Sequence, residues 1–238
     1  MNVIYHPATS RGGADHGWLK AKHSFSFGSW HNPERIHFGA LRVLNDDIVA
    51  GGTGFGKHPH DNMEIITIPL TGAIKHQDST GGSGIIKPGE VQVMSAGTGV
   101  FHSEMNANSD EGVTLFQIWI FPNRKNVEPR YDQQAFSEED RKGKWQTLVS
   151  PMDREDSGIR IHQAAWISRA SLEEGQTLEY NLHSPGNGIY LMMVDGAAVV
   201  AEKTLWRRDA LGISDADNVE VKATDPSDIL VIEVPMTI

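Results

Sequence analysis

Apolar residues fall along this chain in short runs, and the runs read as strands. Phe38–Leu44, Glu64–Leu70, Gly84–Ile86, Glu90–Met94, Thr114–Phe121, Ile189–Val194 and Ile229–Val234 are rich in Val, Ile and aromatic residues. Turn residues bound them, among them Asn45-Asp46-Asp47 and Lys87-Pro88-Gly89. Helical spacing is scarce. The best helix candidate is Ser137–Gly143, where Glu138, Glu139 and Asp140 follow a serine cap. The pattern predicts an all-β protein of sandwich or barrel type.

The pattern also repeats coarsely. Ile65 to Leu70 runs through Thr71 into Gly72, then a polar strand, the turn Lys87–Gly89 and a second apolar strand. Ile189 to Gly196 leads in the same way through Ala197–Glu202 into Arg208–Ser214. Between the halves lies the most charged stretch, Pro122 to about Gly158. Two similar β-domains are therefore expected, 1–128 and 129–238. The length, 238 residues, suffices for one large domain or two modest ones.

Composition narrows the chemistry. The absence of cysteine excludes disulfides, thiolate zinc sites, cysteine nucleophiles and iron–sulfur clusters. A net charge of −10 gives no footing for direct nucleic-acid binding. No basic stretch followed by an apolar one opens the chain. The longest apolar segment, Ile189–Ala201, holds Asp195 and Gly196 and falls short of the roughly 20 residues a spanning helix needs. A soluble, cytoplasmic protein without membrane contact is expected. Any metal site must be built from carboxylates and the eleven histidines.

Two segments place such residues in register: Gly54 to Glu64, with His58 and His60, and Gly97 to Asn106, with His102 and Glu104. Side chains two apart on a strand share a face, about 6.6 Å apart along it. Two such strands facing inward bring three imidazoles and one carboxylate together, a set suited to Fe, Mn, Ni, Cu or Zn. Glu64 shares the parity of His58 and His60 but lies about 13 Å beyond His60 on a straight strand, too far for a common ion. It is expected as a nearby inward carboxylate that hydrogen-bonds a ligand imidazole. His76 reads as a hydrogen-bonded strand histidine, and His16 and His23, with Trp18, Phe25 and Phe27, as packing over a barrel. Met63, Met94 and Met105 read as core, and Gly51, Gly52, Gly54 and Gly56 as turn glycines.

These residues resemble the two motifs of the cupin superfamily. Gly52, His58, His60 and Glu64 fit the first, although Gly72 comes one residue late. Gly99, His102 and Asn106 fit the end of the second, where Gly97 replaces a proline and Gly89 lies two residues upstream of its usual place. With His16-Gly17-Trp18-Leu19, His23-Ser24-Phe25-Ser26-Phe27, Leu41–Asp47, Met94–Gly99 and Gln117-Ile118-Trp119, the chain closely resembles bacterial pirin-like proteins over about residues 10–135.

The resemblance implies two tandem cupin barrels of the double-stranded β-helix or jelly-roll type, with one divalent metal in the N-terminal barrel only. Its ligands map onto His58, His60, His102 and Glu104. Fe(II) is the metal it implies; Zn, Cu, Ni, Mn and Co suit the same donors. The C-terminal half, with only His162 and His183, resembles the metal-free barrel. The activity implied is that of a quercetin 2,3-dioxygenase, which opens a flavonol ring with O2. Glu104 would be ligand and base, and the partners a small aromatic substrate and O2. A metal-bearing regulatory protein that binds a protein partner, and a non-oxidative cupin such as a sugar-type isomerase, fit the same donors.

Overall fold

The computed structural model describes residues 1–237, and its regular structure is almost wholly strand. One seven-stranded sheet runs, in spatial order, Arg130–Ala135, Glu90–Ser95, Glu64–Thr71, Val113–Ile120, Leu41–Val49, Leu19–His23 and Gly12–Asp15. It packs against a four-stranded sheet of Gly54–His60, Val100–Asn106, Ile74–Asp78 and Ser83–Ile86. A second set repeats this plan. Asn2–His6, Ala210–Ser214, Asn187–Asp195, Ser227–Pro235, Trp166–Leu172, Gln146–Pro151 and Ile159–Ile161 form its large sheet. Thr177–Asn181, Asn218–Ala223, Ala197–Val200 and Lys203–Trp206 form its small one. The result is two barrels in tandem, as the repeat and the resemblance imply. No helix among the described residues is long and apolar enough to cross a membrane.

The two large sheets share a core. Ile66, Ile68, Phe116 and Ile118 of the first meet Tyr190, Met192, Leu230 and Ile232 of the second. The alternate residues Ile189, Leu191, Ile229 and Val231 turn into the second barrel. Both faces of these strands are thus covered, which is why they read as unbroken apolar runs. Inside the second barrel the apolar side chains close into one cluster. The first barrel holds two smaller ones and, between them, polar groups. Gly72 and Gly196 take equivalent places at the ends of matching strands, with φ of 70° and 78°, a left-handed turn that glycine makes without strain.

Three local expectations are corrected. Ser137–Gly143 forms only a 3-10 turn over Glu138–Arg141, with no side-chain cap bond from Ser137. The segment is too short for a stable α-helix, and its ion pairs, Arg141 to Glu138 and Lys142 to Glu139, have i,i+3 spacing. The run at Phe38 starts three residues late: Phe38 and Leu41 close a turn with Gly39 at φ 49°, and the strand is Leu41–Val49. Asn45-Asp46-Asp47 therefore lie inside that strand. Asp46 faces the other barrel, where Arg11 and Arg208 meet its carboxylate at 3.0 and 2.8 Å, and Asn45 and Asp47 face inward.

Two short strands cross the expected division at 128/129. Asn2–His6 pairs with Ala210–Ser214 of the second barrel, and Arg130–Ala135 pairs with Glu90–Ser95 of the first. Each large sheet thus ends on a strand lent by the other half. Residues 1–128 expressed alone are expected to be insoluble, because they bare the Glu90–Ser95 edge and one face of the shared core. Expressing 129–238 alongside them should recover soluble protein. A soluble 1–128 fragment with a cooperative melting transition would overturn this.

Candidate metal centre

The strands Gly54–His60 and Val100–Asn106 run antiparallel, with His102 opposite His58 and Val100 opposite His60. Opposite residues project to one face, so three imidazoles meet inside the first barrel. Their ring centroids are 4.4 Å (His58–His102), 4.9 Å (His58–His60) and 4.9 Å (His60–His102) apart. The register slips between His102 and Glu104, which faces Phe55, so the Gly54–His60 strand carries one extra residue there. His58 Nδ1 donates to the Gly56 carbonyl at 2.7 Å, leaving Nε2 as a lone pair.

That lone pair lies 3.0 Å from His102 Nε2. Two ligand atoms about 2.1 Å from a common ion and at a right angle to one another are about 3.0 Å apart. Two of the imidazoles, His60 and His102, are also held in the neutral form that coordinates. Burial, with the charge of neighbouring histidines, lowers His60 to about 4 and His102 to about 3. Donor type, spacing and protonation all fit a divalent transition metal.

Glu104 lies beside this trio and not within it. Its nitrogen neighbours at metal-binding spacing are His102 and His76, in a fully buried group. Oε1 accepts from Thr67 Oγ1 at 2.9 Å and Oε2 from Gln117 Nε2 at 2.7 Å. His76 is a hydrogen-bonded strand histidine, as expected, with Nε2 donating to Asp78 at 2.9 Å. Both groups that could hold an ion among the described residues lie in the first barrel.

Glu64 departs from expectation. It faces out of the first barrel, where Ser95 Oγ donates to it at 2.7 Å, and it touches no ligand imidazole. Burial pushes its carboxyl up to about 7 against the pull of Ser95, the His162 backbone and Arg130. The chain turns at Asp61–Met63, with Asn62 at φ 44°, so strand parity does not carry from His60 to Glu64.

The trio opens onto a cavity of about 430 Å³. Phe27, Phe55, Ile65 and Trp119 form its apolar walls, with Trp119 edge-on to His60 at 4.9 Å. His16 and His23 also line it, which corrects the reading of them as packing alone. His23 is held through Nδ1 to Asn45 Oδ1 at 2.9 Å. Sequence reasoning missed Asn45, Asp47 and Gln117. The signal was there: 45 and 47 repeat with period two inside an apolar strand.

Asp47 is almost fully buried, and its Oδ1 has no partner. Burial, then the charges of Asp46 and Glu104, push its carboxyl up to about 8 from 3.8. A raised acid favours folding while protonated, so its contribution is full below the unfolded value and is lost as pH rises towards 8. In the metal-free protein, Asp47→Asn is expected to melt progressively higher than wild type as pH rises through this window. A tenfold difference in proton affinity between the folded and unfolded chain is worth about 1.4 kcal/mol. Thermal unfolding at pH 5 and pH 9 checks this; a difference independent of pH would overturn it.

Residues 5–120 match the Pirin family, and residues 147–234 match the quercetinase C-terminal cupin domain. A pirin-like protein of Caulobacter vibrioides is 41% identical over 227 residues, covering 95% of this chain and 97% of that one. A quercetin 2,3-dioxygenase of Escherichia coli K12 is 37% identical over 233 residues, covering 98% and 99%. The crystal structure of the bacterial pirin YhhW from Escherichia coli in complex with nickel(II) superposes with a TM-score of 0.92 at 35% identity, covering 98% of this chain and 99% of that one. With two cupin-type barrels and histidines placed for a metal in the first, the chain belongs to the pirin family.

Proposed function

We propose that the chain is a metal-dependent dioxygenase that opens a flavonol-type ring with O2 in its first barrel, 1–128, and that 129–238 carries no metal site. The observation that carries this reading is the convergence of three imidazoles in the wall of a largely apolar cavity. Its volume lies in the range of roughly 300–1,000 Å³ usual for small-molecule sites. The quercetin 2,3-dioxygenase name of the Escherichia coli relative supports the substrate class.

In this reading His58, His60, His102 and Glu104 hold the ion, Fe(II) being the metal the family suggests. A divalent metal bound there supplies Lewis acidity, lowering the pKa of a substrate hydroxyl as it lowers that of water. Glu104 takes the hydroxyl proton at a carboxylate oxygen, and Thr67 and Gln117 hold that carboxylate in place. Phe27, Phe55 and Trp119 sandwich the aromatic rings and keep water out. Asn45, Asp47 and His23 offer hydrogen bonds to polar substituents.

Protein purified without oxygen and fully loaded with Fe(II) is expected to consume one O2 and release one carbon monoxide per quercetin. No oxygen uptake and no carbon monoxide from fully loaded protein would sink this reading.

A further inference from the structure

The strand Ile74–Asp78 lies beside Val100–Asn106, with Asp78 opposite His102 and His76 opposite Glu104. The His76 and Asp78 side chains are 0% and 1% exposed. Asp78 Oδ1 accepts from Thr80 N at 2.8 Å, Thr80 Oγ1 at 2.7 Å and Gly82 N at 2.9 Å, and Oδ2 accepts from His76 Nε2 at 2.9 Å. Four donors fix that carboxylate, and the carboxylate fixes the tautomer of His76: the proton sits on Nε2, and Nδ1 is a lone pair. Tyr131 stacks on the same ring at 4.6 Å, so its plane is fixed too.

His76 Nδ1 is buried with no partner. So is His102 Nδ1. Two buried, unpaired nitrogens on neighbouring rings need a reason. The ring centroids are 5.4 Å apart, and two imidazoles joined by an N–H···N bond of about 2.9 Å have centroids roughly 5 Å apart. His102 directs Nε2 at His58. When Nε2 coordinates, the His102 proton must sit on Nδ1, where it needs an acceptor. On the neighbouring ring His76 Nδ1 is a buried acceptor to which nothing donates.

We infer that His76, anchored by Asp78, is the positioning residue that accepts the His102 Nδ1–H and so orients His102 as a metal ligand. The inference rests on the proposed reading of His102 as ligand through Nε2. Asp78, His76 and His102 then form one directed chain, in which each group leaves the next a single tautomer. Partners of this kind raise ligand basicity, and their loss typically costs about 10–100-fold in metal affinity.

The test uses Zn(II) and the full chain. Affinity is measured by competition with a chelator, and the ring N–H signals of the loaded protein by NMR after ¹⁵N-histidine labelling. His76→Leu is expected to weaken Zn(II) binding about 10–100-fold and to abolish a slowly exchanging His102 Nδ1–H signal. His76→Gln, which can still donate to Asp78 and accept from His102, should restore both to near wild type. Wild-type affinity with the signal retained in His76→Leu would overturn the inference. Equal losses in the Leu and Gln variants would overturn it as well, marking His76 as a packing residue or a direct ligand. Failure of the wild type to bind Zn(II) would instead remove the ligand reading, and this inference with it.

Discussion

Replacing His58 by alanine is expected to empty the metal centre while leaving the fold intact. Its Nε2 is the lone pair 3.0 Å from His102 Nε2, and the Gly56 carbonyl fixes the tautomer that exposes it. Truncation removes one of three converged imidazoles, so affinity should fall by more than the roughly 10–100-fold that a lost supporting residue costs. The side chain is only half-buried, and its loss also removes the close approach of two ring nitrogens. Stability of the metal-free chain should therefore change by no more than about 0.5 kcal/mol. Elemental analysis after loading and oxygen uptake with quercetin read the first effect, and thermal melting of metal-free protein reads the second. Metal loss together with lost turnover is expected; full occupancy in the variant would undo the ligand assignment.

The second large effect lies in the other barrel. Glu233 is completely buried. Its carboxylate accepts from Tyr180 OH at 3.0 Å, His183 Nδ1 at 2.8 Å, Asn187 Nδ2 at 2.9 Å, His183 N at 3.0 Å and Ser184 N at 3.1 Å. Glu233→Ala leaves five donors facing a void, and breaking a buried charged network from one side costs about 3–5 kcal/mol. For a chain of this size that lowers Tm by roughly 10 °C. Burial alone would raise the Glu233 carboxyl, but the bonds from His183 and Asn187 bring it below its usual value of 4.5. The contribution is thus present above that pH and lost as pH falls through the lower folded value. Glu233→Gln keeps the shape but turns an amide donor toward donors, so it should fall between wild type and Ala. An unchanged Tm for Glu233→Ala would show that these bonds add nothing net.

The two sites differ in how far the sequence discloses them. His58 and His60 follow from period two because they sit on one unbroken stretch of strand, and His102 joins them because opposite residues share a face. The same rule misplaced Glu64, since it was carried across the turn at Asp61–Met63. Asn45-Asp46-Asp47 looked like a turn because polar tripeptides usually are; here one face serves the cavity and the other an ion pair with Arg11 and Arg208. The unbroken apolar run Ile189–Val194 was easier, because a strand buried on both faces has few polar interruptions. The Glu233 network left little trace. Its donors come from residues 180–187, and backbone N–H groups from His183 and Ser184 carry no side-chain signature. The lending of end strands was wholly hidden, since Asn2–His6 is five residues with no local cue to a partner some two hundred positions away.

That loan has a consequence for how the protein is made. Asn2–His6 leaves the ribosome long before Ala210–Ser214 exists, so the edge it completes cannot close until some two hundred further residues have been made. Arg130–Ala135, by contrast, follows its partner Glu90–Ser95 by only about forty residues. The first barrel can therefore assemble on the nascent chain while the opening strand waits. A newborn chain should pass through a stage with one finished barrel, a dangling leader segment and a bare half of the shared core. At synthesis rates of roughly 5–20 residues per second that stage lasts several seconds, long enough for holding chaperones to engage.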